Sequence, residues 1–342
     1  MDKSNIGYFA CCADLTSLKK EKDYEWLKEA PADCLQSALK DLDNAFNNFF
    51  RSIKSNGGFG FPKFKSKYNN EKKFRVKQNI QLLEKHIIIP KIGKIKCVVS
   101  KKINGKIINC TVIQKPSKKY FVSICYEVLE YVIPNKTKND VGIDLGIKNF
   151  ATLSNGNEYK NPKYFKKSEK KLSKLQKQLS RKNIGSKRYE KARIKVAKAQ
   201  EKIANQRSDF LHKISTQIIN DYDLIAIEDL SVSGMKKNRN LSKSISDVGW
   251  RDFRNKLEYK ADWYDKKVIS VSKFYPSSQT CSNCGYINKK TKDLSVRTWI
   301  CPKCGVTHDR DINAAKNILA EGIRINDKSV GKDIPEPNAR GE

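Results

Sequence analysis

Acidic residues stand at three places in this chain where their type and spacing could do chemistry. Asp144 lies in mid-strand within VGIDLG, Glu228 and Asp229 close the apolar run LIAI, and Asp309 and Asp311 begin a predicted helix. A carboxylate buried in a strand costs several kcal/mol unless a partner is supplied. Taken singly, the other acids could be a solvated strand end and a helix N-cap. Together they predict a magnesium site, because paired Mg²⁺ ions held by carboxylates can cleave phosphodiester bonds.

Four of the ten cysteines have the spacing of a second kind of metal site. Cys281 and Cys284 form one CxxC pair, and Cys301 and Cys304 form another after sixteen intervening residues. A glycine directly follows each pair and allows a tight backbone turn there. This pattern is typical of a zinc ribbon, in which four thiolates complete a tetrahedral shell. Chance pairs or a redox dithiol are the alternatives. We expect a structural zinc ion, because a closed shell leaves no position for a substrate.

The overall charge indicates which partners to expect. The 342 residues include 69 Lys and Arg against 37 Asp and Glu, which gives a formal net charge of +32. Such a surplus is typical of proteins that contact phosphates and release counterions. The sequence has no run of about 18 apolar residues and no signal-peptide order at its N-terminus. We therefore expect a cytoplasmic, nucleoid-associated protein that does not bind membranes.

Two basic segments are candidates for nucleic-acid contact. Between Gly58 and Gln78, aromatic rings alternate with cations that include Lys63, Lys65 and Lys67. Rings can stack on bases and cations can meet phosphates, although an ordinary basic loop is an equal alternative. Residues 160–207 contain eighteen Lys or Arg and three Glu around two apolar stripes, which predicts a cationic helical hairpin. Its candidate contacts are Lys170, Lys171, Lys174, Arg181, Lys182, Lys187 and Arg188.

The remaining patterns predict the elements that position these residues. Apolar residues at helical spacing predict a helix from Pro31 to Ser55. Short apolar or alternating runs between His86 and Val132 predict a small β-barrel or sandwich. The strand with Asp144 begins a new domain and pairs with an antiparallel neighbour at 150–153. Further predicted elements are a strand ending at Leu230, a helix from Trp250, a strand over 268–274 and a helix after Asp311.

Several blocks of the sequence resemble the TnpB/OrfB proteins that bacterial transposons encode. GIDLGIKNFATLSNG, IAIEDLSVSGM, SSQTCSNCGY and CPKCGVTHDRDINAAKNIL follow one another in the family's order. PKFKSK and NLSKSISDVGWRDF are also similar to that family. The resemblance implies an α/β fold with an RNase H-like (RuvC) mixed sheet, an inserted helical hairpin and a zinc ribbon. A helical segment and a small β-barrel would precede that sheet.

The resemblance also implies which residues form the site. The family's three catalytic acids, which bind magnesium, fall on Asp144, Glu228 and Asp311, so Asp309 is the less favoured third ligand. The family's four structural zinc ligands fall on Cys281, Cys284, Cys301 and Cys304. Both cofactors, catalytic magnesium and structural zinc, are therefore expected in this chain.

TnpB proteins are RNA-guided DNA endonucleases related to type V CRISPR effectors, and this activity follows from the resemblance alone. The implied partners are a guide RNA from the transposon end and a double-stranded target DNA. A Tyr-type single-strand transposase would be encoded beside the chain. Two alternatives remain: a transposase that joins DNA ends with the same acids, and a DNA-binding regulator of transposition. The filled acid positions disfavour the regulator.

The family pattern divides the chain into four expected parts. These are a helical recognition-like segment (1–80), a wedge-like β-barrel (81–137), a RuvC-like nuclease domain (138–325) and a disordered tail (326–342). The nuclease domain would include the basic insertion and a zinc ribbon at 278–308. Family members usually begin with a strand and a helix that are missing here. We therefore expect a truncated N-terminal lobe, with impaired guided recognition and an intact nuclease domain.

Overall fold

The computed structural model describes residues 7–55, 60–64, 66, 71–128, 133–134, 136–235, 237, 239–293 and 295–329. The chain divides into two compact units. Unit 1 comprises Met1–Tyr131 with Arg193–Lys198, and unit 2 comprises Val132–Ala192 with Ala199–Glu342. Within the described ranges, every helix is too short or too polar to cross a lipid bilayer. Most of the predicted tail, from residue 330 on, lies outside the described residues.

Unit 1 begins with helices. They are α1 (Tyr8–Leu18), a 3₁₀ turn (Lys22–Glu29) and α2 (Ala32–Lys54). The α2 boundaries confirm the helix predicted from apolar spacing to within one residue at each end. The carboxylate of Asp33, in the first turn of α2, accepts hydrogen bonds from the backbone N–H groups of Lys77 and Gln78 at 3.1 and 3.0 Å. This contact joins the helix to the strand region that follows it.

The strands of unit 1 form two antiparallel sheets around one core. One sheet has the order β1 (Lys72–Val76), β5 (Ile107–Gln114), β6 (Tyr120–Tyr126), and the other runs β2 (Gln81–Leu82), β3 (His86–Ile89), β4 (Gly93–Lys96). Val76, Ile87 and Cys110 are buried between them. The strands predicted after His86 are confirmed, and closure into a barrel stays a prediction. The sequence reading missed β1, because KKFRV reads as a basic loop and its partner β5 lies far along the chain.

Unit 2 is built on a five-stranded mixed sheet. Its strands are β7 (Asp140–Leu145), β8 (Asn149–Leu153), β9 (Glu158–Lys160), β10 (Leu224–Glu228) and β11 (Lys267–Val271). The order across the sheet is β11-β10-β7-β8-β9. Strands β7, β8 and β9 form an antiparallel meander, whereas β10 and β11 run parallel to β7. The predicted α/β class with a mixed sheet is therefore confirmed.

Among the described residues, six helices flank or follow this sheet. They are α3 (Tyr164–Ser180), α4 (Lys187–Asp221), α5 (Val232–Met235), α6 (Arg239–Val248), α7 (Trp250–Trp263) and α8 (Arg310–Ser329). The predicted hairpin break is confirmed, and Ser186 caps α4 by accepting from the Tyr189 N–H at 3.0 Å. The end predicted at Arg207 is wrong. Helix α4 continues to Asp221 because Leu211 and Ile218 extend its apolar stripe into the core.

The two faces of the sheet bury alternate residues of each strand. On one face Ile143, Ile225 and Ile227 pack with α4, α6 and α7. On the other face Leu224 and Ala226 pack with residues of α8. Because successive side chains of a strand point to opposite faces, Asp144 and Glu228 belong to the face that α8 covers.

The zinc-ribbon region has short elements only. It contains a 3₁₀ turn (Lys289–Lys292) and a hairpin of β12 (Thr298–Ile300) and β13 (Thr307–Asp309). The strand predicted over 268–274 is partly wrong, since β11 ends at Val271. Residues 272–274 instead form a turn, in which the Phe274 N–H donates to the Ser272 hydroxyl at 3.3 Å. Helix α8 continues to Ser329, past the start predicted for the tail.

Candidate active site and metal centre

Two acids come from neighbouring parallel strands. Strands β10 and β7 pair up to Ile227 opposite Ile143, and Glu228 and Asp144 follow that pair directly. Close packing of α8 against β7 requires Gly142, because a Cβ at that position would lie 2.0 Å from the Ala315 carbonyl oxygen. The sheet and α8 thus hold both carboxylates at one end of the helix.

The third acid is in the first turn of α8. Asp311 lies there, whereas Asp309 precedes the helix and caps it. A carboxylate oxygen of Asp309 accepts from the N–H groups of Asp311 and Ile312 at 2.9 and 3.0 Å. The N-cap alternative therefore applies to Asp309. The carboxylate of Asp311 is not used as this cap.

Asp144, Glu228 and Asp311 line one cavity of about 420 Å³. The three residues are far apart in the sequence and come from two strands and a helix. All three are partly buried. Among the described residues, neither Asp144 nor Glu228 has a basic side chain within 4 Å, while Arg297 lies 3.6 Å from Asp311. The two strand carboxylates are therefore not neutralised by a direct ion pair, although basic residues stand elsewhere in the cavity lining.

The protonation of these acids reflects that crowding. Burial, together with the charges of Asp311 and Glu228, raises the pKa of Asp144 to about 7 against the lowering effect of Arg310. Burial also raises the pKa of Glu228. Clustered carboxylates without a cation shift their pKa values in this direction because each charge opposes the others. A divalent cation among them would reverse the shift by favouring the charged forms.

Basic residues around the cavity were missed by the sequence reading. Lys148, Lys273, Arg297 and Arg310 contribute to its lining. Arg310 is buried, and its guanidinium donates to the Asp293 carbonyl oxygen at 3.1 Å. The position of Arg310 between Asp309 and Asp311 in the sequence could have indicated that it lies at this site. Nothing in the local sequence pattern indicated that Lys148 and Lys273, on separate loops, meet at this cavity.

The four ribbon cysteines meet in one cluster. Their sulfur atoms all lie within 4.8 Å of one another. Cys281 and Cys304 are 3.7 Å apart at sulfur, and Cys284 and Cys301 are 3.6 Å apart. A tetrahedral zinc ion with Zn–S bonds of about 2.3 Å would separate its ligands by roughly 3.8 Å. The cluster therefore has the size and donor set of a zinc site.

The backbone around the cysteines is built for this arrangement. Gly285 and Gly305 follow the two CxxC pairs at φ +75° and +70°, a left-handed conformation that glycine adopts without strain. Their N–H groups each donate at 2.9 Å to the carbonyl of the first cysteine of the pair. His308 Nε2 lies 3.0 Å from the Cys281 sulfur and supports the cluster from outside. The turn role predicted for the two glycines is confirmed.

The predicted nucleic-acid contacts belong to both units of the chain. On the hairpin, Lys170, Lys171, Lys174, Arg181, Lys182, Lys187 and Arg188 are all exposed, and the described part of the chain offers none of them an acid within 4 Å. In unit 1, Lys63 is exposed, whereas Lys65 and Lys67 lie outside the described residues. Phe61 packs edge-on against Phe46 and Phe49 of α2, while Phe64 is fully exposed. The basic-loop and stacking-surface readings of this segment both stay open.

Two family models match consecutive parts of the chain. The OrfB_IS605 model, described as "Probable transposase", matches residues 123–239, which include Asp144 and Glu228. The model described as "Cas12f1-like, TNB domain" matches residues 250–318, which include all four ribbon cysteines and Asp311. Together the two models cover every acid and thiol of the two clusters described above.

Two of the similar proteins match nearly the whole chain, and a third matches a smaller part of it. A Streptomyces pristinaespiralis protein named "Putative RNA-guided DNA endonuclease" is 34% identical over 94% of this chain and 79% of its own length. An Escherichia coli (strain K12) protein named "Putative RNA-guided DNA endonuclease InsQ" is 36% identical over 94% of this chain and 82% of its own. The "TnpB-like protein L79" of Acanthamoeba polyphaga mimivirus is 30% identical over 61% of this chain and 42% of its own. With this extent of identity, and with the OrfB model matched around two of the three acids, the chain belongs to the TnpB/OrfB family.

Proposed function

We propose that this chain is an RNA-guided, magnesium-dependent endonuclease that hydrolyses phosphodiester bonds of double-stranded DNA. The observation that carries the proposal is the convergence of Asp144, Glu228 and Asp311 in one cavity. Relatives named as RNA-guided DNA endonucleases support the same activity. The order of the five strands also supports an RNase H-like (RuvC) sheet, in which an antiparallel meander is extended by two parallel strands.

The three acids fit magnesium as a cofactor. Their oxygens are hard donors, and the raised pKa of Asp144 marks a site where a cation would relieve repulsion. When bound, divalent ions would supply the positive charge that activates a water molecule and neutralises the leaving oxygen. Asp144, Glu228 and Asp311 would hold them.

Other residues that line the cavity would contact the DNA strand. Lys148 and Lys273 are exposed at its lining and can attract a backbone phosphate. Arg297 and Arg310 add donors beside Asp311, where negative charge develops during hydrolysis. Because β7, β10 and α8 are rigid elements of one packed unit, the carboxylates need little rearrangement before reaction.

The cationic hairpin would hold nucleic acid by its backbone. Seven exposed cations along α3, the connecting loop and the start of α4 present a surface on which cations outnumber acids. Base pairing between guide and target would then carry the sequence specificity, as in other RNA-guided systems. We propose a guide RNA from the transposon end and double-stranded target DNA as partners, with the protein working on the nucleoid.

The zinc ribbon would be structural. Four thiolates close the shell of a zinc ion, so the ribbon supports the site through the α8 helix that follows it. We further propose residues 138–325 as the nuclease domain, residues 81–137 as a wedge-like barrel and residues 1–80 as a helical recognition lobe. The two sheets of unit 1 and their shared core support the barrel.

The test is cleavage by the protein purified together with its co-expressed RNA. We expect Mg²⁺ to be required for cutting a plasmid that carries the sequence matching the guide. Asp144→Ala should abolish cutting while RNA and DNA binding persist. Sequencing the copurified RNA should identify one transcript from the transposon end.

Two outcomes would contradict the proposal. Continued cleavage by Asp144→Ala would exclude the carboxylate cluster as the active site. Binding without any cleavage by the wild-type protein would instead favour the alternative, a DNA-binding regulator of transposition. Glu158→Ala removes an exposed carboxylate on β9 of the same sheet, outside the cavity, and controls for general damage to the unit.

A further inference from the structure

The loop of residues 272–279 forms one wall of the acid cavity and carries an exposed aromatic ring. Phe274 retains 83% of its accessible surface. A single exposed apolar side chain needs no explanation by itself. Phe274, however, lines the same cavity as Asp144, Glu228 and Asp311. Its position therefore calls for a ligand that an aromatic face would recognise.

The loop that carries Phe274 is held firmly by α8. Asn317 donates to the carbonyl oxygens of Ser277 and Thr280 at 2.8 and 2.6 Å, and Asn313 donates to the Thr280 carbonyl at 2.7 Å. Both asparagines are almost fully buried, with 1% of the surface of Asn313 and 5% of that of Asn317 exposed. Because α8 also carries Asp311, one helix fixes both the ring-bearing loop and an acid of the cavity.

Within the loop, two neighbouring aromatic residues take opposite roles. The ring of Tyr275 packs inward against the core that contains Leu224 and Ile318. Phe274 turns outward, and the Lys273 ammonium lies 4.9 Å from its ring centroid. A cation beside a ring is a pair that suits a nucleotide, since the ring can stack on the base and the cation can contact its phosphate.

We propose that Phe274 is a base-stacking residue of the DNA strand that enters the acid cavity. Its ring would stack on an unpaired base next to the phosphate held by the acids, with Lys273 on the adjoining phosphate. Stacking on a protein ring requires a base that has left its duplex, so the residue would favour single-stranded DNA at the cut. This role rests on the nuclease function proposed above.

A substrate with one base removed tests the contact directly. Single-turnover cleavage is measured for wild type and Phe274→Ala on strands that carry one abasic nucleotide at successive positions around the cut. We expect Phe274→Ala to cleave the complete strand about tenfold more slowly, which is a typical loss for one stacked base. One abasic position should slow wild type by about the same factor and leave Phe274→Ala unchanged.

Two variants separate stacking from structural damage. Phe274→Trp should retain the wild-type rate, because indole also stacks on bases. Ile300→Ala removes another exposed apolar side chain of the same unit, with 64% of its surface exposed, and should change nothing. If Phe274→Ala cleaves as fast as wild type, or if every abasic position slows both proteins equally, the stacking role is wrong.

A binding measurement keeps the proposal testable when cleavage is absent. In the Asp144→Ala background, the base analogue 2-aminopurine is placed at each position of a bound DNA strand. Stacking on Phe274 should quench one position, and Phe274→Ala should restore its fluorescence. Equal fluorescence with and without the ring would overturn the proposal. Absence of cleavage by wild type would instead count against the nuclease function alone.

Discussion

The two clusters of potential metal ligands in unit 2 are built in opposite ways. The four cysteines lie within one short stretch of the chain, on two glycine turns that repeat the same hydrogen bond. The three acids come from the last residues of β7 and β10 and from the first turn of α8, far apart in the sequence. Local turns form the first cluster, whereas the second exists only after the sheet and helix have packed.

The difference in donors suits a difference in task. Four soft thiolates complete a zinc shell and leave no open position. Three hard carboxylates leave positions open, and the cavity of about 420 Å³ beside them can admit a phosphate. The cost of holding the acids together is visible in the raised pKa of Asp144. A closed site favours stability, and an open strained site favours chemistry.

The three acids Asp144, Glu228 and Asp311 form the open cluster, and the four cysteines form the closed cluster. The largest expected effect comes from replacing an acid of the open cluster. Glu228→Gln should lower single-turnover cleavage by about 10⁴-fold, because it removes a charged ligand that contributes several kcal/mol to the transition state. Asp229→Asn is the matched control, since Asp229 forms an ion pair with Arg254 instead. Comparable losses in both variants would show that the strand end, and not the cavity carboxylate, matters.

Replacing a cysteine of the closed cluster should first lower the stability of the protein. Cys301→Ser should eliminate bound zinc and lower the free energy of unfolding by about 4 kcal/mol, because the metal supplies folding energy to such ribbons. Metal analysis and thermal unfolding measure both effects. Cys125→Ser, at an exposed cysteine outside the cluster, should change neither. Retention of one zinc per chain by Cys301→Ser would contradict the four-thiolate site.

The two clusters should also differ in their response to pH. Without divalent ions, the folded pKa of Asp144 is about 7 against an ordinary 3.8, so the folded state holds its proton more tightly than the unfolded state. This contribution is complete below pH 3.8 and is lost as the pH rises through 7. The loss is about 2 kcal/mol for a group that solvent partly screens.

The measurement is urea unfolding of wild type and Asp144→Asn at pH 5 and pH 8 in metal-free buffer. Relative to the variant, wild type should lose stability at pH 8 and regain it when Mg²⁺ is added. The stability that the thiolate cluster contributes should change with pH in the opposite direction, because acid protonates cysteines and releases zinc. If the difference in unfolding free energy between wild type and Asp144→Asn is independent of pH, the inference that the crowded acids raise the pKa of Asp144 is wrong.

The cationic hairpin contains no ligand of either cluster and should affect binding alone. Wild-type affinity for DNA should fall about 10³-fold between roughly 50 and 200 mM salt. Changing Lys170, Lys171 and Lys174 to Gln should reduce the slope of log affinity against log salt by about two to three. The control changes Lys289, Lys316 and Lys328, which are exposed elsewhere in unit 2. An unchanged slope in the hairpin variant would exclude this surface.

The two clusters also differ in how far they could be predicted from the sequence. The cysteine cluster could be predicted completely, because ligand spacing and the two glycines are local signals. The choice of Asp144, Glu228 and Asp311 needed the family resemblance, since each acid has an ordinary explanation in its own segment. Nothing local could show that β7 and β10 are neighbours, because their pairing joins residues more than eighty positions apart.

Errors at element boundaries have physical causes of the same kind. Helix α4 extends to Asp221 because its later residues are fixed by packing against the sheet and not by a visible change in composition. The strand after Lys267 ends early, because Ser272 offers its hydroxyl to the Phe274 N–H and starts a turn. Lys148 and Lys273 reach the acid cavity only through tertiary folding. Tertiary contacts decided each of these features.

The smallest expected effect distinguishes two acids that are only two residues apart. Asp309→Ala removes the cap of α8 and should lower the free energy of unfolding by about 1 kcal/mol, with cleavage nearly unchanged. Asp311→Asn should abolish cleavage and leave the cap intact. Thermal unfolding and single-turnover cleavage of both variants measure the contrast. If Asp309→Ala loses cleavage while Asp311→Asn retains it, the third ligand is Asp309, two residues before the one that the structure indicates.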